Sequence, residues 1–459
     1  MADAAFQLDD YQIEGADWLA TTPRALLADV MGVGKSAQAV AAFDRVDARS
    51  INILCQGAKR LDWAKDIASW STRSRPIRLI ETGKDRPQVD GINICSYDLA
   101  DILLDHVDMM DSTADALGID EVQFLKTPGA KRTKTVLGRG GLAHFTARTW
   151  LLSGTPFLNH PAEMWPWLYS LFHPHFADLG RDPVANYEGF VARYCETRPC
   201  DYGQGVKIIG GRNLDELRTR MAPFTLRRGE EVIEMPSLAV EDMPIPRERI
   251  TDTQDIRDLL EAENGPGGRA LTAALEALAA GEEVDLGALR DSGGHIATLR
   301  KVTALAKTKA ICEDIAAELT DGRMEKVVIF GVHRDSLNLA HAYLDAWGFG
   351  AELVWGGTSP KKRAQRLHRF ATNYKHRVFV GQIDATGTGV DGLQHGACDA
   401  VFIDGSWTPG INAQAIKRLH RRGQRRPVRA RFAALAGSID EHVQRVNRRK
   451  AATLLQLFG

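Results

Sequence analysis

The stretch 29–36, DVMGVGKS, contains the residue types that bind nucleotide phosphates. It matches the pattern G-x-x-x-x-G-K-[ST], except that Asp29 replaces the first glycine. Glycines let the backbone turn so that its N–H groups face phosphate oxygens, and the N-terminus of the following helix adds positive charge. Lys35 would then pair with the β- and γ-phosphates, and the hydroxyl of Ser36 would ligate Mg²⁺. The alternative is a glycine turn before an ordinary helix.

Gln12 precedes this loop and has an amide that can both donate and accept hydrogen bonds. Such an amide could bind the donor and the acceptor on one edge of adenine. A glutamine on the protein surface is the alternative. The predicted ATP-binding residues are Gln12, Met31, Gly32, Val33, Gly34, Lys35 and Ser36.

Two acids, Asp120 and Glu121, follow an apolar run in the stretch 114–123, ADALGIDEVQ. The run predicts a strand with the acids at its carboxyl end, where α/β sheets bind ligands. We expect Asp120 to hold Mg²⁺ and Glu121 to orient or deprotonate the attacking water. A solvated acidic pair is the alternative.

The stretch 412–424, NAQAIKRLHRRGQ, is predicted to form one helix. On such a helix Gln414, Arg418 and Arg421 would share a face, because residues three and four apart are neighbours. A face of this kind suits completion of a nucleotide site. A solvated or DNA-facing arginine surface is the alternative.

Apolar strand-like runs alternate with amphipathic helical stretches along the 459 residues, so we predict an α/β fold. The first α/β unit ends near Arg228, and a second begins near Ala306. Prolines break the segment between them, which predicts an extended linker followed by projecting helices. The predicted domains are a first lobe at 1–228, a linker with a helical protrusion at 229–305, a second lobe at 306–437 and a C-terminal docking helix at 438–459.

The overall charge of −1 gives no general argument for nucleic acid, although the stretch 417–431 is dense in arginine. No apolar run approaches the ~18 residues that span a membrane. Six cysteines lack a CxxC pair, so structural zinc is not expected. These features predict a cytoplasmic protein without a membrane segment.

Several ordered motifs of the chain resemble those of the Swi/Snf-type, helicase-like ATPases of superfamily 2, and most closely their annealing-helicase branch. The resemblance covers nearly the whole chain. The resembling stretches are LLADVMGVGKSAQA, IDEVQFLKTPGAKR, LLSGTPFLNHPAEMW, FTLRRGEEV, GGTSPKKRAQRLHRF and DGSWTPGINAQAIKRLHRRGQ.

This resemblance implies two RecA-like lobes with parallel sheets, the P-loop NTPase fold, with ATP bound in the cleft between them. It assigns the ATP and Mg²⁺ roles to Lys35, Ser36, Asp120 and Glu121. It also matches Arg418 and Arg421 to arginine fingers, and Gln414 to a motif glutamine. The implied activity is a DNA-stimulated ATPase that moves along duplex DNA, usually without unwinding it.

Two substitutions in the motifs and one feature of the whole chain depart from the family pattern. Val30 replaces a glutamate, and Gln123 replaces the histidine of the DEAH box. That histidine links the nucleotide state to the motif at 153–155, so coupling is expected to depend on Gln123, whose amide could donate toward Thr155. The predicted coupling residues are Gln123, Ser153, Gly154 and Thr155. The third departure is the lack of a recognisable recruitment domain, which favours a bacterial or viral-host origin and recruitment by a partner protein.

Loops after the predicted strands are expected to grip DNA phosphates alternately. The predicted DNA-binding residues are Lys59, Arg60, Ser96, Tyr97, Lys126, Lys131, Arg132, Thr155, Asn159, His333, Arg334, Gly357, Arg363, Thr386 and Gly387. The expected partner is double-stranded DNA, including branched or partly single-stranded forms, and the chain is expected to be a monomer. Alternatives are a strand-separating or RNA-stimulated helicase, a nucleotide-gated DNA-binding protein with weak hydrolysis, and a small-molecule P-loop kinase.

Overall fold

The computed structural model describes residues 7–109, 113–180, 182–199, 205–250, 273–278, 280, 295–387 and 392–458. The chain divides into two compact units. The first comprises Met1–Glu234 together with Arg449–Gly459, and the second comprises Met235–Arg448.

The first unit is built on a parallel sheet whose strands, as described, run in the order β3-β4-β2-β5-β6-β1-β9. Its strands, with an antiparallel β7–β8 hairpin outside the sheet, are β1 Arg24–Leu27, β2 Ser50–Cys55, β3 Ile77–Ile80, β4 Gly91–Ser96, β5 Ala114–Asp120, β6 Thr146–Leu152, β7 Cys195–Pro199, β8 Val206–Gly211 and β9 Thr225–Leu226. Its helices are α1 Asp10–Thr21, α2 Lys35–Arg45, α3 Arg60–Trp70, α4 Ala100–Met109, α5 Lys131–Leu137, α6 Trp165–Phe172, α7 Pro183–Tyr194 and α8 Leu214–Met221.

Both faces of this sheet are covered by apolar side chains. Leu26 and Leu54 belong to the core on one face, whereas Leu27 and Ile53 belong to the core on the other. Successive side chains of a strand point to opposite faces, so a strand buried on both sides needs a continuous apolar run. The runs in the sequence therefore place β1 and β2 in the interior of the sheet.

The second unit contains a second parallel sheet, in the order β10-β15-β14-β11-β13-β12. Its strands are β10 Leu238–Ile245, β11 Val327–Gly331, β12 Ala351–Val354, β13 Val378–Gln382, β14 Asp399–Phe402 and β15 Val428–Leu435. Its helices, including one that ends in the first unit, are α9 His295–Thr320, α10 Arg334–Ala346, α11 Pro360–Thr372, α12 Ile383–Gly387, α13 Pro409–Ile416 and α14 Ile439–Phe458. The predicted α/β fold with two parallel sheets is confirmed.

The prediction of an extended linker is wrong for Leu238–Ile245, which form β10. This strand pairs along its length with β15 at one edge of the second sheet. An edge strand needs hydrogen bonds on one side only, so it tolerates Pro244, while Met243 and Ile245 enter the core. Much of the predicted helical protrusion lies outside the described residues. The long helix α9 continues across the predicted boundary at 305–306.

Candidate functional site

The loop between β1 and α2 has the backbone shape of an anion site. Gly32 and Gly34 have φ angles of +94° and +80°, in the left-handed region that glycine adopts readily. Gly34 caps α2, whose first two residues are Lys35 and Ser36. The helix therefore presents its unpaired N–H groups and its positive end beside the loop. Met31 and Val33 complete the turn.

Gln12 is buried beneath this loop. Its Nε2 donates to the carbonyl of Val33 at 3.1 Å, and its Oε1 accepts from the N–H of Asp9 at 3.0 Å. The hydroxyl of Tyr11 donates to the same Val33 carbonyl at 2.9 Å. A Cβ on Gly34 would lie 2.4 Å from Gln12 Nε2. In this structure the amide thus supports the loop from inside the unit.

The ammonium of Lys35 is held at the loop by backbone carbonyls. Its Nζ donates to the carbonyls of Asp29 and Val30, at 2.8 and 3.1 Å. Burial lowers the pKa of Lys35, and the nearby charges of Glu121, Asp29 and Asp120 oppose that shift. The Lys35 ammonium donates to backbone carbonyls beside glycine N–H groups, so a phosphate at the loop would give it a direct anionic partner.

The carboxylate of Asp29 serves the structure of the loop. It is fully buried and forms an ion pair with Arg228, whose Nη2 lies 2.6 Å from Oδ2. It also accepts from the N–H of Arg228 at 2.9 Å and from Gln38 Nε2 at 3.1 Å. Arg228 further donates to the carbonyl of Tyr11. Asp29 therefore ties the loop to β9's end and to α1, a role that its position in the motif did not predict.

Asp120 is the last residue of β5, and Glu121 follows it with a left-handed φ of +58°. The indole Nε1 of Trp63 donates to Asp120 Oδ2 at 2.9 Å, and the hydroxyl of Tyr97 donates to the Asp120 carbonyl at 2.5 Å. Burial, and then the charge of Glu121, raise the pKa of Asp120 to about 7. A bound divalent cation would favour the charged form of this carboxylate, so Asp120 has the chemistry of the predicted Mg²⁺ ligand.

Gln123 links the second acid to the turn after β6. Its Nε2 donates to Glu121 Oε2 at 2.7 Å, and its Oε1 accepts from the hydroxyl of Ser153 at 2.7 Å. The same hydroxyl accepts from the N–H of Thr155 at 3.0 Å. One N–H of the Gln123 amide therefore faces the Glu121 carboxylate, and no hydrogen bond joins the amide directly to Thr155 in the described part of the chain. Thr155 is reached through Ser153 instead.

Gly154 brings this turn against the phosphate loop. A Cβ at Gly154 would lie 2.8 Å from Met31 Cγ and 3.0 Å from Met31 N. Arg227 donates to the carbonyl of Gly154 at 3.1 Å. A side chain at this position would push the two segments apart, so the close approach requires glycine.

The predicted DNA-binding residues of the first unit follow the carboxyl ends of its strands. Ser96, Tyr97 and Thr155 are buried, whereas Lys131 is exposed. The cations are paired: Lys59 with Asp62 at 2.9 Å, Lys126 with Glu163 at 3.2 Å, Lys131 with Asp101 at 2.6 Å, and Arg60 with the Ile80 carbonyl at 2.8 Å. Asn159 donates to Glu163, and Arg132 lines a pocket of about 210 Å³ with Tyr97, Asp101 and Lys131.

In the second unit, His333 and Arg334 lie at the N-terminus of α10. His333 Nδ1 is 2.7 Å from Asp404 Oδ2, and the guanidinium of Arg334 stacks 3.8 Å from the ring centroid of Trp355. A Cβ at Gly357 would lie 2.1 Å from the same ring. The other predicted DNA-binding residues of this unit are Arg363 in α11 and Thr386 and Gly387 at the end of α12.

The prediction of one helix over 412–424 is wrong. Helix α13 ends at Ile416, so Gln414 lies in the helix, whereas Arg418 and Arg421 lie in the turns that follow. The chain turns inward because two polar side chains after the helix are buried. His420 Nε2 lies 2.7 Å from the carbonyl of Pro236, and Gln424 Nε2 donates to the carbonyl of Ala397 at 2.9 Å. The shared helical face therefore does not exist.

Family models match most of the chain. A model of the SNF2-related domain matches residues 11–251, more than half of the chain, and a model of the helicase conserved C-terminal domain matches residues 306–423. The chain belongs to the SNF2-related family. It is a helicase-like ATPase, and the resemblance of its motifs to Swi/Snf-type ATPases is confirmed.

Two named relatives of this SNF2-related ATPase are animal proteins. It is 28% identical over 432 residues to the SWI/SNF-related matrix-associated actin-dependent regulator of chromatin subfamily A-like protein 1 of Xenopus tropicalis, covering 92% of this chain and 41% of that protein. It is 24% identical over 447 residues to the human DNA annealing helicase and endonuclease ZRANB3, covering 93% of this chain and 38% of that protein. The chain thus spans about 40% of the length of these curated relatives.

A solved structure, the Sulfolobus solfataricus SWI2/SNF2 ATPase core in complex with dsDNA, is similar over 96% of this SNF2-related ATPase and 90% of that chain, with 18% identity and a TM-score of 0.43. The two relatives named above give no support to a bacterial or viral-host origin. Among the described residues, no helix has the length and apolar character needed to cross a membrane.

Proposed function

We propose that this ATPase hydrolyses ATP in a DNA-dependent cycle and moves along duplex DNA. The observation that carries the proposal is the order of strand ends in the first unit. The phosphate loop, the Ser153 turn and the Asp120–Glu121 pair follow the neighbouring strands β1, β6 and β5. The next strands, β2 and β4, lead into the segments that contain Lys59–Arg60 and Ser96–Tyr97. We therefore propose that the nucleotide site and the DNA contacts both lie at the carboxyl ends of the strands of this sheet.

Each residue at this edge has a proposed task in hydrolysis. Lys35 binds the β- and γ-phosphates, and Ser36 and Asp120 hold Mg²⁺. When bound, Mg²⁺ neutralises charge that develops on the phosphate oxygens. Glu121 orients and deprotonates the attacking water, and Gln123 holds the carboxylate of Glu121 in place.

From the second unit, Arg418 and Arg421 are proposed as arginine fingers, with Gln414 as the motif glutamine. Fingers of this kind contribute about 10³–10⁵ to the rate of related reactions.

The named relatives support DNA as the partner, since one is called a DNA annealing helicase and the other a regulator of chromatin. The proposed contacts are made by cations and backbone N–H groups at strand ends, which suit phosphates and carry little base information. Binding should therefore tolerate any sequence and weaken strongly with salt.

The test is the steady-state ATPase rate with no nucleic acid, duplex DNA, single-stranded DNA or RNA, with Lys35→Ala as the blank. Selective stimulation by duplex DNA is expected. Stronger stimulation by RNA or single strands would instead support a strand-separating or RNA-stimulated helicase. Displacement of a triplex-forming strand from the duplex would then test movement directly.

A second candidate is a nucleotide-gated DNA-binding protein with weak hydrolysis. It is favoured by the hydrogen bond that Gln123 Nε2 donates to Glu121 Oε2 at 2.7 Å. This bond would restrain Glu121, the proposed general base. Gln123→His would distinguish the candidates in the same assay. A faster rate in the variant supports the restrained base, whereas a slower rate supports a positioning role for the amide.

A further inference from the structure

Asp120 is held by both segments that are proposed to contact DNA near it. One segment contains Lys59 and Arg60 and leads into α3, and the other contains Ser96 and Tyr97 and leads into α4. They follow β2 and β4, and β2 pairs with β4 on one side and with Asp120's own strand, β5, on the other. The sheet thus brings two segments that are distant in sequence to one carboxylate.

The contact from the first of these segments is made to the side chain of Asp120. Trp63 lies in the first turn of α3, three residues after Arg60, and is 3% exposed. Its Nε1 donates to Asp120 Oδ2 at 2.9 Å. An indole has a single donor, so a shift of α3 moves this hydrogen bond and turns the carboxylate with it.

The contact from the second segment is made to the backbone of Asp120. Tyr97 is 5% exposed, and its hydroxyl donates to the carbonyl of Asp120 at 2.5 Å. Its ring lies 5.6 Å from the ring of Phe124, which follows Glu121 in the chain. Tyr97 therefore supports the turn that carries both acids, and its hydroxyl points inward.

We propose that Trp63 and Tyr97 are positioning residues that make the Mg²⁺ ligand Asp120 respond to DNA bound at the Lys59–Arg60 and Ser96–Tyr97 segments. The inference rests on the proposed function and gives Tyr97 an inward role instead of a DNA contact. Tyr97 belongs to the second segment, and Trp63 lies three residues after Arg60 in α3, so one hydrogen bond joins each DNA-facing region to Asp120. Partners of metal ligands commonly affect metal affinity or activity by about 10–100-fold.

The experiment measures ATPase rate against Mg²⁺ concentration, with and without duplex DNA, for Trp63→Phe and Tyr97→Phe. Phenylalanine keeps an aromatic ring in each place and removes the donor. Trp150→Phe is a matched control, since the buried Trp150 donates to the Thr22 carbonyl at 3.0 Å. Tyr194→Phe is the matched control for Tyr97→Phe, since the hydroxyl of Tyr194 donates to Glu216 at 2.7 Å.

We expect Trp63→Phe to lower the ratio of DNA-stimulated to basal rate about tenfold and to raise the half-saturating Mg²⁺ concentration by a similar factor. Tyr97→Phe should act in the same direction with a smaller effect, because it supports the backbone. DNA affinity, measured without nucleotide, should stay unchanged in both. The two control variants should keep the wild-type ratio.

An unchanged ratio in Trp63→Phe would overturn the inference, as would an equal loss in Trp150→Phe. An equal loss of the basal and the DNA-stimulated ATPase rates in Trp63→Phe would also overturn the inference. Trp63 would then position Asp120 whether or not DNA is bound. A wild-type rate that no DNA raises would instead overturn the proposed function, and the inference with it.

Discussion

Three carboxylates of the first unit differ in how many hydrogen bonds their oxygens accept; Asp29 and Glu163 are buried, and Asp120 is partly exposed. Asp29 accepts from Arg228 and Gln38, and Glu163 accepts from the backbone N–H groups of Leu158 and Asn159 as well as from side chains. Asp120 accepts one hydrogen bond at its carboxylate from the described part of the chain, that of Trp63. The oxygens of Asp29 and Glu163 are used by hydrogen bonds within the protein, whereas the carboxylate of Asp120 can accept further hydrogen bonds or bind a cation.

The pKa shifts follow this difference. Hydrogen bonds from Asn159 and its neighbours, with the charge of Lys126, hold the pKa of Glu163 below its usual value despite burial. Burial and Glu121 raise the pKa of Asp120 to about 7. A partly exposed carboxylate that accepts one hydrogen bond keeps oxygen lone pairs that a bound cation can use, which is consistent with the Mg²⁺ role proposed for Asp120. Saturated carboxylates, by contrast, hold loops in place.

The largest expected effect is at the open carboxylate. Asp120→Asn should lower the ATPase rate by at least about 10³-fold, because a neutral amide is a poor Mg²⁺ ligand and charge neutralisation is worth several kcal/mol. The amide oxygen can still accept from Trp63. The midpoint of thermal unfolding without metal at pH 8 should therefore not fall.

The control for this variant lies on the same strand. Asp115→Asn changes a carboxylate near the amino end of β5, where Asp115 accepts from the N–H groups of Arg49 and Ser50. It should leave the ATPase rate within about twofold, because substitutions away from functional groups usually have small effects. If Asp120→Asn keeps its activity, or unfolds much earlier, then Asp120 belongs with the structural carboxylates.

The next effect concerns Asp29. Asp29→Ala leaves the guanidinium of Arg228 without its buried partner, which should lower the free energy of unfolding by about 3–5 kcal/mol. Urea denaturation followed by tryptophan fluorescence measures it. The double variant Asp29→Ala with Arg228→Ala should cost clearly less than the sum of the single changes. Strict additivity would show that the ion pair does not anchor the loop.

The sequence was sufficient for the parts of the fold that depend on local patterns. Apolar runs predicted strands such as β2 and β5, and the glycine spacing predicted the phosphate loop. The same local reasoning was wrong at the turns after α13, because buried His420 and Gln424 interrupt a pattern that looks helical. It was wrong again at β10, where prolines suit an edge strand as well as a linker.

Roles that depend on long-range pairing were not predictable from local patterns. Trp63 and Asp120 are 57 positions apart and meet only because β2 and β5 are neighbours in the sheet. Tyr97 follows β4 and was predicted to contact DNA, yet its hydroxyl donates to the carbonyl of Asp120 inside the unit. The ion pair between Asp29 and Arg228 joins residues 199 positions apart. Strand order, which the sequence does not display, decides all three.

The smallest expected effect depends on pH and concerns Glu163. Because its pKa in the folded protein lies below the ordinary value of 4.5, the charged form adds stability above that pH. This stability is lost as the pH falls through the lowered pKa. Glu163→Gln keeps the shape but not the charge, so it should cost about 1–3 kcal/mol at pH 7 and progressively less toward pH 3. Burial lowers the pKa of His160 nearby, so the quantity to follow is the difference in unfolding free energy between wild type and variant. A difference that stays constant from pH 7 to pH 3 would mean that the hydrogen bonds to Glu163 do not depend on its charge, and that the contrast with Asp120 rests on geometry alone.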